Sequence, residues 1–344
     1  MSQSTDHQES TFDIAIVVCT YNPKQEIFVR LLDAINKLRY DQPERIECII
    51  VDNNSTPALK DIPYVVELLD KCPFKASIYV EKEQGLTFAR IAGVQNTSAP
   101  VVIFFDDDNE PDPEYLKGIQ EAIKQHEFVG IWGPGQINVD FLGKIPSKIE
   151  GHLLGTFQQR NHNQTRFANT LSFTEAHPYG TGMVCKREAL KNYLTAIEQQ
   201  ALSASDRKGN SLASAGDTQI LLSAINQGWA VGTSPLLKLN HIIPPSRTTS
   251  KYIKRLAFST SMTGNIAKIE IFPDTKKHVA LPSNKYFIYK TCKIFMGEAI
   301  SNNRYFAYIK LARYFGTVIG HYQILGKQVP KWMNRLAKML GFVQ

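Results

Sequence analysis

Three adjacent carboxylates, Asp106-Asp107-Asp108, end the apolar run Val101-Val102-Ile103-Phe104-Phe105 and are followed by Asn109. Three neighbouring negative charges at a strand end repel one another unless a cation compensates them. Oxygen ligands of this kind suit magnesium or manganese, and either ion can bridge two phosphates. If strand geometry persists, Asp106 and Asp108 point to one side and Asp107 to the other. A solvated acidic turn, favoured by Asn109 and Pro111, is the plain alternative. A calcium loop fits less well, because the sixth position from Asp106 is Pro111 and the twelfth is Lys117.

The elements that must position these carboxylates read as alternating strands and helices. Ile14 to Val18 is a short run of β-formers, and an apolar stripe at Ile27, Phe28, Leu31, Leu32, Ile35 and Leu38 follows it. The unit recurs as Ile46 to Val51 with a helix through Tyr64 to Leu69, and as Ser77 to Val80 with a helix over Leu86 to Gln95. Val101 to Phe105 then precedes a helix starting near Pro113. Continuous apolar strands separated by helices imply an α/β fold with a mostly parallel sheet sandwiched by helices. Ligands of such sheets gather beyond the carboxyl ends of the strands, so the residues just after each strand are the ones to examine.

Farther along, Gly133 to Pro178 reads as a long, partly ordered loop over the site. Gly182 to Lys186 reads as a strand, with a helix from Arg187 to about Gln200. Leu202 to Ser214 has the composition of a mobile segment, and Thr218 to Gln227 is a short helix closed by Gly228. From Ser250 onward only helical patterns occur.

The motifs after the first strands, taken in order, resemble glycosyltransferase family 2 of the GT-A fold. They are Cys19-Thr20-Tyr21-Asn22, Val51-Asp52-Asn53-Asn54-Ser55, Gly85-Leu86-Thr87-Phe88-Ala89-Arg90 and the aspartate run, and the resemblance covers residues 13 to about 240. It implies an inverting enzyme that spends a nucleotide-activated sugar, a UDP-sugar donor, on a hydroxyl of a glycan or lipid-linked acceptor, in polysaccharide or glycoconjugate synthesis. Under it, Thr20, Tyr21, Asn22, Asp52 and Asn54 hold the nucleoside, with Asp52 accepting from the uracil ring. Gly85, Arg90, Asp106, Asp107 and Arg247 complete the nucleotide-sugar site. A divalent metal, Mn2+ or Mg2+, sits at Asp106 and Asp108 with a late His241. Asp217 deprotonates the acceptor, and Gly180, Thr181 and Gly182 line the acceptor site. The family often has Glu-Asp at the base position, where this chain has Gly216-Asp217.

Each residue also has a plainer reading. Asp52 suits an Asx turn before Pro57, Arg90 a solvent-facing helix charge, and Asp217 an N-cap. The Gly180 to Gly182 segment suits a turn before a strand, and His241, beyond the expected end of the sheet, suits a packed or surface histidine. Two other functions share the fold. A sugar nucleotidyltransferase needs a Gly-rich basic phosphate loop after the first strand, which Cys19 to Lys24 does not supply. A non-catalytic nucleotide-sugar or glycan-binding protein would keep Asp52 and Asp106 yet turn nothing over.

Composition frames these readings. The 344 residues carry a net charge of +7, but residues 247–344 hold 17 Lys and Arg against 3 acidic residues. The expected organisation is a flexible tail at 1–11, a catalytic domain at 12–245 and a basic, aromatic-rich helical region at 246–344. That region either packs its aromatics into a bundle with its lysines in water or lays an interfacial helix on an anionic membrane, with Tyr305, Phe306, Tyr308, Tyr314 and Phe315 among Arg304, Lys310 and Arg313. The bundle is the favoured reading. Nucleic acid ranks last, since no reading motif accompanies the charge. Five scattered cysteines without a CxxC pair and a polar start lacking a signal peptide fit a cytoplasmic protein, peripheral at most to the inner face of the membrane.

Overall fold

The computed structural model describes residues 11–202, 212, 215–300 and 304–343. The chain alternates as expected through β1 (Ile14–Thr20), α1 (Gln25–Ile35), β2 (Ile46–Asp52), α2 (Pro63–Asp70), β3 (Lys75–Val80), α3 (Leu86–Gln95) and β4 (Val101–Asp106). β5 (Asn109–Pro111), α4 (Tyr115–Gln125), β6 (Val129–Phe141), α5 (Ser147–Thr156), β7 (Arg160–Asn161), β8 (Arg166–Ala168), β9 (Met183–Lys186) and α6 (Arg187–Glu198) follow. The last elements are α7 (Gly216–Asn226), β10 (Ala230–Ile243), α8 (Ser250–Ile271), α9 (Asn284–Ile300), α10 (Arg304–Ile324) and α11 (Lys331–Met339).

The main path of the sheet runs β3-β2-β1-β4-β9-β6-β10-β5. β3, β2, β1 and β4 are parallel, and every residue of β1 and β2 is buried, as their mostly apolar composition requires, while β3 at the edge is partly exposed. Beyond β4 the described pairings of β9, β6, β5, β7 and β8 are antiparallel, so the sheet is mixed, with its parallel half in the first four strands.

The stretch from Gly133 to Pro178, expected as a loop, contains most of β6 together with α5, β7 and β8. Gly133, Pro134 and Gly135 mask β6 in the sequence, and close packing explains both glycines. A Cβ at Gly133 would meet Pro178 at 2.4 Å, and one at Gly135 would meet the Ser234 backbone at 2.7 Å. The composition read as a loop signal is that of a strand pressed against neighbours. The segment expected to be mobile, 202–214, lies almost wholly outside the described residues, as does the expected tail at 1–11 apart from Thr11.

Two compact units divide the chain. The first comprises 1–138, 158–191 and 228–242, and the second 139–157, 192–227 and 243–344. The first is built on the core that includes Val18, Phe28, Leu31, Ile50, Phe105 and Trp132. In the second, Phe258, Phe287, Phe315, Met333 and Phe342 form a separate core. α8 and α10 meet closely enough that a Cβ at Gly316 would lie 2.2 Å from the carbonyl oxygen of Phe258. The bundle reading thus holds for α10, whose Ala307, Ile309, Leu311, Ala312 and Phe315 are buried. No helix among the described residues is long and apolar enough to cross a membrane.

Candidate active site

Strand register brings the sequence motifs to one end of the parallel half-sheet. Cys19 of β1 pairs with Asp106 of β4, and Thr20 pairs with Asp52 of β2. Beyond this line the chain is tied by side chains. Asn22, at φ 48°, donates its N–H to Ser55 Oγ at 2.9 Å and accepts from the Thr56 N–H at 2.8 Å. Tyr21 beside it is exposed, and Asn54 sits at φ 66°. Asn and Asp tolerate this left-handed backbone better than other residues with a side chain.

Asp52 is fully buried, and its two carboxylate oxygens accept from the backbone N–H groups of Ser55 at 2.8 Å and Leu59 at 2.9 Å. This is the Asx-turn reading, extended into a clamp over the 53–59 loop. Asn53, quoted in the motif but given no role from sequence, does a similar task for the next loop. It donates to the carbonyls of Glu81 at 3.2 Å and Glu83 at 2.7 Å, and accepts from the Gly85 N–H at 2.7 Å. Gly85 itself stands at φ 145° before α3, in the region that favours glycine.

The three aspartates do not continue the strand. β4 ends at Asp106, the chain turns at Asp107 and Asp108, and β5 begins at Asn109. Asn109, wholly buried, accepts from the Asp106 N–H at 3.1 Å and donates to Asp108 Oδ1 at 2.9 Å, closing the turn. The expected alternation of Asp106 and Asp108 to one side is replaced by divergence. Asp106 Oδ1 lies 3.8 Å from Arg90, Asp107 accepts from the Thr20 hydroxyl at 2.7 Å, and Asp108 Oδ1 stands 3.6 Å from His241 Nε2.

Arg90 is buried to 4% exposure, with its guanidinium 5.7 Å from the centre of the Phe104 ring, so the solvent-facing reading fails. A guanidinium taken out of water needs an anionic partner, and Asp106 supplies one. His241 is not beyond the sheet. It lies in β10 opposite Asn109 of β5, and the Ile242 N–H donates to the Asp108 carbonyl at 2.8 Å. The side chains of Asp108 and His241 are only 5% and 8% exposed, so a solvated acidic turn does not describe this end of the motif.

The donor set fits a divalent ion in part. A carboxylate oxygen and an imidazole nitrogen 3.6 Å apart need only a small approach to share an ion at about 2.1 Å from each. Asp106, the third expected ligand, is turned towards Arg90, and no group of three such side chains is assembled among the described residues.

Gly180, Thr181 and Gly182 form the turn into β9. Gly182 has φ 64°, its carbonyl accepts from the buried Tyr115 hydroxyl at 2.5 Å, and an added Cβ would lie 2.6 Å from Leu239 Cδ2. Burial holds the Tyr115 phenol well above its usual range. Thr181 is 2% exposed. In the second unit, α7 begins at Gly216 with Ala215 as N-cap, so Asp217 is in the first turn and not at the cap. Its Oδ1 accepts from the Thr218 N–H at 2.8 Å, and a carboxylate there is favoured by the helix dipole. Arg247, half-buried, ends a 3-10 turn whose N–H is bound to Pro244.

An acidic, half-buried group of residues thus lies at the strand ends of a mixed α/β sheet, with a buried arginine beside it. A family model described as glycosyl transferase family 2 matches residues 15–194, and the chain belongs to that family and is a glycosyltransferase. A dolichol-phosphate mannosyltransferase of Pyrococcus furiosus is 31% identical over 121 residues, which are 34% of this chain and 32% of that protein, so the match spans about a third of the relative's length. Crystal structures of S. aureus TarS 1-349 are similar at 14% identity. The first covers 91% of this chain and 90% of its own with a TM-score of 0.44, and the complex with UDP-GlcNAc covers 93% of each, also at 0.44. At that distance they bear on neither donor nor acceptor.

Proposed function

We propose that this glycosyltransferase moves a sugar from a UDP-sugar to a hydroxyl of a glycan or lipid-linked acceptor with inversion. The observation that carries the reading is the buried Asp108–His241 pair beside Arg90 and Asp106, at the strand ends where such sheets receive ligands. Thr20 orients Asp107, and the Asp52 and Asn53 clamps shape the loops that would border the nucleoside. The name of the P. furiosus relative couples a mannosyl group to a lipid phosphate, which makes a lipid-linked acceptor the first to test.

In the reaction the acceptor oxygen forms a bond to the anomeric carbon as the bond from that carbon to the diphosphate breaks. Asp217 takes the hydroxyl proton, and UDP leaves with the bonding pair. Arg90 offers guanidinium charge to phosphate oxygens. Asp108 and His241 would hold Mg2+ or Mn2+, whose chemistry is to neutralise charge on the departing diphosphate, while Asp106 stays with Arg90.

Location at the cytoplasmic face of a membrane goes with this reading, and α9 supplies its surface. Tyr286, Ile288, Tyr289, Phe295 and Met296 are exposed there, at 52, 53, 59, 40 and 57%, alongside exposed Lys285 and Lys293. Apolar side chains interleaved with lysine suit an anionic bilayer interface. Hydrolysis of a panel of UDP- and GDP-sugars with manganese or magnesium tests the enzymatic claim, comparing the wild type with Asp108→Ala and Asp217→Asn. Turnover with UDP-sugars that both variants lower about 100-fold is expected. No metal-dependent turnover with any donor would sink it, and full activity in Asp217→Asn would discard the base.

A further inference from the structure

A cavity of about 820 Å3 lies within the first unit, between α1, β5, β6, β7 and β10. The size falls in the range of ligand pockets, and its lining differs from the acidic site. In β10, Leu237, Leu239 and His241 are buried, while Lys238 is exposed and Asn240 half-buried. Because successive side chains of a strand face opposite sides, Asn240 and His241 point to opposite faces of the β5–β10 ribbon. Asn240 faces the cavity.

On that face a chain of hydrogen bonds crosses three strands and a helix. Asn138 Nδ2 donates to Asn240 Oδ1 at 3.1 Å, and Asn240 Nδ2 donates to Glu110 Oε2 at 2.8 Å. Arg30 closes it, with Nη2 2.7 Å and Nε 3.3 Å from the Glu110 oxygens. Burial raises the Glu110 carboxyl, and the bonds from Arg30 and Asn240 more than offset that, leaving it below its ordinary value. The acid therefore stays charged and, with Arg30, anchors the Asn240 amide.

Five amides line the space, Gln136, Asn138, Gln159, Asn161 and Asn240. The cations Arg30, Lys37, Arg160 and Lys238 are nearly balanced by Asp33, Glu110 and Asp112, so a polyanion gains little. No aromatic ring is among the described lining residues, so a nucleobase has nothing to stack on. What this wall satisfies is a neutral ligand with many hydroxyls, each able to donate to and accept from an amide.

We propose that the cavity is a second saccharide-binding site, on the opposite face of the ribbon from His241, that holds a neutral sugar chain. It does not depend on the transfer reading. The test is saturation-transfer NMR of the full chain with maltopentaose, cellopentaose and chitopentaose, repeated with Asn138→Ala and Asn240→Ala, with UDP-sugar hydrolysis measured on the same samples. At least one pentasaccharide is expected to bind, each substitution to weaken it at least about tenfold, and the donor KM to stay unchanged. Asn138 is exposed, so its variant keeps the fold. Failure of all three probes, binding that survives both substitutions, or binding of dextran sulfate in their place overturns the proposal. Loss of donor hydrolysis in the wild type would instead strike the transfer reading and leave this one standing.

Discussion

Asp52 offers the sharpest test of how the strand ends work, because the same residue has two readings that predict different losses. Its carboxylate accepts two backbone N–H bonds at 2.8 and 2.9 Å from a position with no exposure. Hydrogen bonds to a charged group contribute about 1.5–3 kcal/mol each, so Asp52→Ala, which strands both amides, should cost about 3–6 kcal/mol. Against a typical total of about 5–15 kcal/mol this is a large fraction. Asp52→Asn keeps one acceptor and sets an NH2 against the other amide, and about half the loss is expected. Urea unfolding followed by circular dichroism measures both, with the midpoint falling at constant slope. The UDP-sugar KM of any surviving fraction should rise because the 53–59 loop is released. A cost below about 0.5 kcal/mol for Asp52→Ala would refute the clamp, and with a raised KM it would return Asp52 to direct contact with the base.

Gly182→Ala should destabilise by about 1–3 kcal/mol in the same assay, since its φ of 64° and the 2.6 Å approach to Leu239 leave no room for a methyl group. Asp108→Ala and His241→Ala should each lower metal-dependent turnover about 100-fold, with metal titrations moving to higher concentration, whereas unchanged titrations would remove the pair from the metal site. His177 is held below its ordinary pKa chiefly by burial, and its Nδ1 accepts from the Thr174 N–H at 3.0 Å. A depressed folded pKa means that the contribution is present above the unfolded value of 6.5 and is lost as the pH falls below it. His177→Gln should therefore flatten the stability profile between about pH 7 and 5, measured by thermal melting. Tyr289→Ser with Lys293→Glu should abolish co-sedimentation with phosphatidylglycerol vesicles at low salt, and a wild type that stays in the supernatant would remove α9 as the contact.

The parallel half of the fold was legible because its central strands β1, β2 and β4 are largely buried. β1 is apolar up to Thr20 and β2 is apolar apart from Glu47 and its last residue Asp52, and α1 carries its buried residues at helical spacing, so period and length agree. β6 and β10 were not legible for a physical reason. Their outer ends have one buried and one wetter face, and their inner ends carry Gly133, Pro134, Gly135, Gly232 and Pro235 where neighbouring backbone or rings approach too closely for side chains. Composition there mimics a loop, and only the partner strand reveals otherwise.

The same limit explains the site. Sequence order placed Thr20, Asp52, Arg90 and the aspartates at or after successive strands, and register brought Thr20, Asp52 and Asp106 to one end of the sheet. It offered the turn favoured by Asn109 only as an alternative to a continued strand, and the choice depends on the Asn109 side chain bonding back to the Asp106 N–H. The consequence is chemical. Straight strand geometry would have aimed Asp106 and Asp108 at one ion, whereas the turn gives Asp106 to Arg90 and Asp108 to a histidine 133 positions away on β10. β10 thus serves both of its faces, presenting His241 to the acidic turn and Asn240 to the amide-lined cavity. A one-residue shift of its register against β5 would exchange the two, so both placements rest on the pairing of the short strand Asn109–Pro111.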